Sequence, residues 1–432
     1  AKESVLQNGN AAVAGLESAK KHLEDFKFSE AANDFALANK NFESASHTLS
    51  NFGASLLSVF GDIPGLGKVR TANNLVKAGH TIAKAGENLS TAFSGLYKTN
   101  VFAMLDPSTD SRAGSLAKPL GDFKDILNRA GTDVASAKTL LEDVDASVLP
   151  DDKREVFESF KSKIPDFQTY INTAVQYSDF LLGVVGKDKP RTYMILFQNT
   201  SERRPTGGFP GTYAIVSFEK GSLKKIFIDD IYNPDGQIKA NILPPIPLRH
   251  ITPNLGVRDA SWFADFPTSA RKVEEYYKLD GGAQLDGVFV VTPAVITKIL
   301  HVVGPIDLPE YNLTLTADNF VAEVQDQVEY KGDRAQPKKI VVDFQPKFFA
   351  KLAEQDKDSW LQIGQVLLDS LQRKDILAYF NDDDLQKAVL ENGFAGEIKD
   401  PKADYLQVAF SNIKGAKTDA VTANSMNLEI AF

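Results

Sequence analysis

The chain reads as an α+β protein: an elongated helical bundle over residues 1–188, then a three-layer α/β domain with a mixed sheet over residues 189–432. Three observations predict this division. Apolar residues recur every seven positions through much of the first part. After "GKDKPR", Gly186 to Arg191, the pattern changes to short, dense apolar runs bounded by turn residues. Those runs alternate with helical stretches, as in layered α/β folds.

The elements follow in order. Val5, Ala12, Ala19 and Phe26 make one stripe of a helix over 3–26. A second helix has two seams, Phe28, Phe35, Phe42, Leu49, Leu56 and Ala31, Ala38, Ala45, Phe52, Val59, with Ser29 as its N-cap. "GDIPGLG", Gly61 to Gly67, ends it. A third helix carries Leu75, Ile82, Leu89, Leu96 on one seam and Ala72, Gly79, Gly86, Phe93 on the other. Glycine inside a helix costs about 1 kcal/mol against alanine. Two on one seam therefore predict close approach of a neighbour, for which the alanine-lined seam is the natural candidate. The second and third helices form an antiparallel hairpin, and helices 28–96 offer a face for homo-oligomer contacts. Two more helices cover 112–146 and 151–185, with Pro150 at the second start.

In the second part, strands are expected at 192–198, 211–218, 223–230 and 285–291, and near 405–411 and 426–432. Helices are expected at 267–278, with Thr268 or Ser269 as cap, and at 293–303, 359–373 and 382–391.

Composition removes several functional classes. There is no cysteine, so disulfides, thiolate metal sites and cysteine nucleophiles are excluded. The five histidines have no ligand spacing. A net charge of −9 argues against a nucleic-acid binder. No run approaches the roughly 20 apolar residues that cross a bilayer. No P-loop, G-x-S-x-G or H-E-x-x-H motif is present.

The densest chemistry is "SERRPTGGFPG", Ser201 to Gly211. It places Arg203 and Arg204 on a proline- and glycine-rich loop between two strands. With the hairpin turn at 219–222, Gly211 faces Asp230 and Thr212 faces Asp229, bringing the arginines to two carboxylates. Arginine forks suit phosphate oxygens, and the Gly207 and Gly208 backbone suits close approach to an anion. Asp229 and Asp230 suit Mg²⁺ held against the same phosphate. The competing reading is an ion pair that closes the sheet end. A second cluster, "VRDASWFADFPTSAR", adds Arg258 and Arg271 around Trp262 and Phe263, as ligand cover or as a loop fastening.

"RTYMILFQNTSERRPTGGFPGTYAIVSFEKGSLKKIFIDDIY", "RDASWFADFPTSARKVEEYY", "LDGVFVVTPAVITKILHVVGPIDLP" and "DYLQVAFSNIKGAKTD" resemble the bacterial domain of unknown function 4012 family. More distantly, the order strand, arginine loop, hairpin and acidic strand end is similar to the LytR-CpsA-Psr phosphotransferases. Those enzymes transfer glycan polymers from polyprenyl-pyrophosphate lipids to the cell wall. The resemblance implies an extracytoplasmic cell-envelope protein that binds a polyprenyl-linked or cell-wall glycan phosphate, with Arg204 at the phosphate. It also implies a membrane anchor upstream of residue 1; the first residue is Ala1, not Met. The sequence departs from the enzymes at catalytic positions: Ile228 precedes Asp229 where they have arginine, and Gly211 and Thr212 stand where a metal-binding aspartate is expected. The alternative is a non-catalytic structural or surface-assembly protein that uses the bundle for lateral contacts.

Overall fold

The computed structural model describes residues 2–25, 27–57, 66–99, 104, 115–149, 151–333, 336–402, 404–413 and 415–429. It divides into two compact units, one of Ala1–Thr99 and Ala117–Leu182, the other of Asn100–Leu116 and Gly183–Phe432.

The first unit consists of α1 (Lys2–Glu24), α2 (Phe28–Leu57), α3 (Leu66–Lys98), α4 (Ala117–Glu142) and most of α5 (Asp151–Val184). Each helix packs on its sequence neighbour. Ala12 and Ala19 of α1 are fully buried, as are Ala31, Ala38 and Ala45 of α2. The alanine seam thus faces α1, where a Cβ on Gly15 would lie 3.1 Å from that of Ala38.

It is the phenylalanine seam that meets the glycines, correcting the expected partner. A Cβ on Gly79 would fall 2.5 Å from the Phe42 ring, and one on Gly86 would fall 2.4 Å from Phe35. A missing side chain leaves a hole, and a ring fills it better than a methyl. The antiparallel arrangement continues to Phe28 and Phe93, stacked at 5.4 Å. The leucine seam of α3 turns to α4, where Leu127, Ala130, Val134, Ala137 and Leu141 are buried. Because α2 begins at Phe28, Ser29 lies within the first turn, and its hydroxyl meets that of Ser94 at 2.9 Å. Phe26, Val59, the expected break as far as residue 65, residues 112–114 and Pro150 lie outside the described residues.

The second unit is built on a five-stranded mixed sheet in the order β3-β2-β1-β4-β7. Its strands are β1 (Arg191–Asn199), β2 (Phe209–Glu219), β3 (Ser222–Asp230), β4 (Gly287–Val291) and β7 (Ile376–Phe380). Strands β1 and β4 run parallel; the other pairs are antiparallel. A two-stranded ribbon pairs β5 (Ile306–Leu308) with β6 (Leu313–Leu315). The helices are α6 (Phe266–Leu279), α7 (Pro293–Val303), α8 (Phe320–Asp326), α9 (Lys339–Ala353), α10 (Lys357–Gln372) and α11 (Asp383–Glu391).

Strand alternation sorts the side chains into two faces. Met194, Leu196, Tyr213, Ile215, Val288, Val290, Leu377 and Tyr379 meet Phe266, Ala270, Val273 and Tyr276 of α6 in one core. Tyr193, Ile195, Ala214, Val216 and Phe289 point to the other face, towards Val184, Gln345 and Phe349. A third cluster joins α7, α9 and α10 around Leu308, Leu315, Ile340 and Ile363.

Several expectations are corrected. The β2–β3 register slips by one between Ser217 and Phe218, so Thr212 faces Asp230 and Tyr213 faces Asp229. A slip of one exchanges the faces of a strand's side chains. Asp265, not Thr268 or Ser269, caps α6, accepting from the Thr268 amide at 3.0 Å. Of the strands expected near 405–411 and 426–432, residues 405–411 and 426–429 form no ladder; 430–432 lie outside the described residues.

Candidate functional site

Loop 200–208 leaves the end of β1 and turns back into β2. The Phe209 amide donates to Glu202 O at 2.9 Å, and the Gly207 amide donates to Arg204 O at 2.9 Å. Gln198 holds the centre: its Oε1 accepts from the Gly208 amide at 2.9 Å, and its Nε2 donates to Thr206 Oγ1 at 3.0 Å. Gly207 has φ +133°, and a Cβ on Gly208 would lie 2.2 Å from Asn199 O. Both positions therefore require glycine. Their amides are engaged inside the loop rather than presented to an anion.

Arg204 points inward and is 6% exposed. Its Nη2 donates to Glu202 Oε1 at 2.8 Å, and its Nη1 to Asn412 O at 3.3 Å. The guanidinium lies 3.6 Å from the Trp262 ring centroid, a close cation–π stack. Glu202 is equally buried. Burial raises its carboxyl pKa and lowers that of the guanidinium, and each partner pulls the other back. The arginine partner is thus Glu202, not Asp229 or Asp230. Three donors here, Arg204 Nε, Ser261 Oγ and Trp262 Nε1, are buried without a hydrogen-bond partner.

The other predicted residues spread out. Arg203 packs 5.9 Å from the Phe410 ring, and its backbone is tied to Asp419 and Asn412. Arg258 donates to Asp235 Oδ2 at 2.7 Å, its Nε lies 3.7 Å from Asp259, and it covers Tyr232. Asp235 and Asp259 are both raised, chiefly by burial, with Arg258 opposing. Arg271 bonds Thr268 and lies over Tyr379, towards the opposite end of the sheet. Asp229 accepts from the Asp230 amide and from Asn233 Nδ2; Asp230 accepts from the Tyr232 amide. As consecutive residues of β3 the two carboxylates point to opposite faces, so they do not form a joint Mg²⁺ site. Among the described residues no three His, Asp or Glu side chains gather as a metal set.

The structure adds a feature on the second face of the sheet. An apolar groove of about 280 Å³ runs between Tyr193, Ile195, Phe197, Ala214, Val216, Ile226, Ile228 and Phe289, with Phe349 of α9 beside it. Asp230 and Thr212 continue the groove-facing rows at one end. Lys338, just before α9, shares a helical stripe with Gln345 and Phe349 at i, i+7 and i+11. Its ammonium reaches the same sheet end: a Cβ on Gly211 would lie 3.4 Å from Nζ. Burial lowers the pKa of Lys338, and Asp230 partly restores it. Among the described residues it has no ion-pair partner. Lys417, paired with Glu329, lies nearby.

Sequence reasoning missed Glu202, although it stands two residues before Arg204 in the same loop. It also missed Lys338, because the helix that carries it was not expected.

Fold and site together define a class: a mixed-sheet α/β unit with a buried arginine clasp at one strand end and an apolar groove ending at a lysine. Residues 188–329 match the family model described as "Protein of unknown function (DUF4012)". The match takes in β1 to β4, the clasp loop and α6. No curated protein matches the chain.

Proposed function

We propose that the second unit binds an amphiphile with a phosphate head and an apolar tail, of the polyprenyl-phosphate kind, as part of an extracytoplasmic cell-envelope protein. The observation that carries this reading is the groove with a cation at its end. A lining that is apolar apart from Gln345 suits a hydrocarbon chain. An ammonium held in a half-dry setting suits a phosphate, because it gains most from a compensating anion. The distant likeness to the LytR-CpsA-Psr phosphotransferases supports the same ligand class. The role of Arg204 differs from the one that likeness implies: tied to Glu202, it shapes the loop beside the head group.

We propose binding rather than transfer. Arg204 and Arg258 are neutralised by buried carboxylates, and Asp229 and Asp230 diverge, so no set of groups is poised around a reacting phosphorus. A structural surface role is favoured by the same engaged arginines and would leave the groove without ligand. Titration calorimetry with a short-chain polyprenyl phosphate, with and without Mg²⁺, separates the two. Saturable binding that is lost when Ala214→Leu fills the groove supports the amphiphile. No binding by the folded parent chain overturns it.

A further inference from the structure

The segment from Gly236 to Arg258 contains no acidic residue, in a chain with 57 acids among 432 residues. It carries Lys239, Arg249 and His250, all exposed. Leu243 is 67% exposed and Ile246 72% exposed, with Pro245 and Pro247 exposed beside them. Tyr232, 56% exposed, stands at the base of the segment.

These apolar side chains are held outward by an ordered backbone. Ile238 and Ile242 pack against the core, and Pro244 is buried. The Leu255 amide donates to Ile242 O at 2.9 Å, Arg249 Nε to Pro244 O at 3.2 Å, and the Thr252 amide to Leu248 O at 3.1 Å. Asp235 fastens the base through the Val257 amide and Arg258. The prolines restrict the chain further. Exposing Leu243 and Ile246 on a rigid loop costs hydration free energy that a flexible loop would avoid by folding them back.

We propose that this segment docks the second unit on an anionic lipid surface, with Leu243 and Ile246 between the head groups and Lys239 and Arg249 against lipid phosphates. Apolar tips flanked by basic residues, with an aromatic at the margin, are the composition that an anionic membrane interface selects. In a chain of net charge −9, an acid-free segment is what allows close approach to negative lipid. The loop follows β3, so it rises from the same sheet end as Lys338. The proposal goes beyond the groove reading and does not rest on it, because the test lipids contain no polyprenyl chain.

The test is co-sedimentation of the whole chain with vesicles of phosphatidylcholine alone and of phosphatidylcholine with about one third phosphatidylglycerol. Binding to the anionic vesicles is expected, with loss at high salt. Leu243→Ser with Ile246→Ser abolishes it, and Lys239→Gln with Arg249→Gln weakens it about thirtyfold. Leu243, Ile246 and Lys239 are exposed, while Arg249 also bonds Pro244 O, so melting temperatures are compared with the parent's, and the Leu243→Ser/Ile246→Ser and Lys239→Gln variants keep the test clear of a folding defect. The proposal is overturned by no binding of the parent chain, by equal binding to neutral vesicles, or by binding unaffected in the Leu243→Ser/Ile246→Ser variant. A protein partner for the proline-rich loop would give the first of these results.

Discussion

Arg204 and Glu202 stand two residues apart and bury opposite charges against each other under Trp262. Removing one partner leaves the other charged in a dry site, which costs more than the pair contributes. Glu202→Ala therefore destabilises the second unit by about 3 kcal/mol, measurable by urea unfolding. Joint replacement, Glu202→Leu with Arg204→Met, costs less than the sum of the single changes. Glu274 gives a different residue-scale prediction. Burial pushes its carboxyl up to about 7, against the hydrogen bond from Asn381. The folded state then holds a proton that the unfolded state releases near the ordinary value of 4.5. Its contribution to stability is present at low pH and is lost as pH rises through about 7. Glu274→Gln keeps an acceptor for Asn381 without the charge. The variant should melt higher than the parent at pH 8, and the difference should narrow as pH falls through about 7 and close below about 4.5; a constant difference would contradict the burial of Glu274.

At the scale of elements, the glycines of α3 show what a heptad does and does not disclose. Gly79 and Gly86 meet the rings of Phe42 and Phe35, whereas a Cβ on Gly121 of α4 would meet nothing within 4 Å. Gly121→Ala should stabilise the first unit by up to about 1 kcal/mol through helix propensity. Gly86→Ala should destabilise it by about 1–3 kcal/mol through overpacking, and Phe35→Leu should restore part of that loss; thermal unfolding followed by circular dichroism distinguishes the signs. The sequence disclosed both seams and the antiparallel hairpin, because period seven is a local pattern. It could not disclose which seam faces which neighbour, since that depends on the third dimension. The same limit operates in the sheet. Strands β1 to β4 were legible as apolar runs, but a single bulge near Ser217 shifted the pairing of Asp229 and Asp230 by one residue, and strand alternation sets the two on opposite faces whatever the register. Strand β7 and helix α9 were missed, and Lys338 with them. The segments 405–411 and 426–429 have strand composition without a pairing partner among the described residues, so composition alone misled.

At the scale of the molecule, the loop SERRPTGGFPG carries the densest chemistry in the sequence, but Glu202 and Arg204 turn inward. Its glycines serve the backbone path, its arginine serves a clasp, and the open cation at the sheet end comes from a distant helix start. The proposed function requires Lys338 and the groove to act on one ligand. Parallel titrations with a short-chain polyprenyl phosphate and the matching alcohol, on the parent chain and on Lys338→Met, test it most directly. The parent should prefer the phosphate by about tenfold or more, Lys338→Met should remove this preference, and affinity for the alcohol should be unchanged. Equal affinity of both proteins for the phosphate, or no saturable binding of either compound by the folded parent, would contradict it.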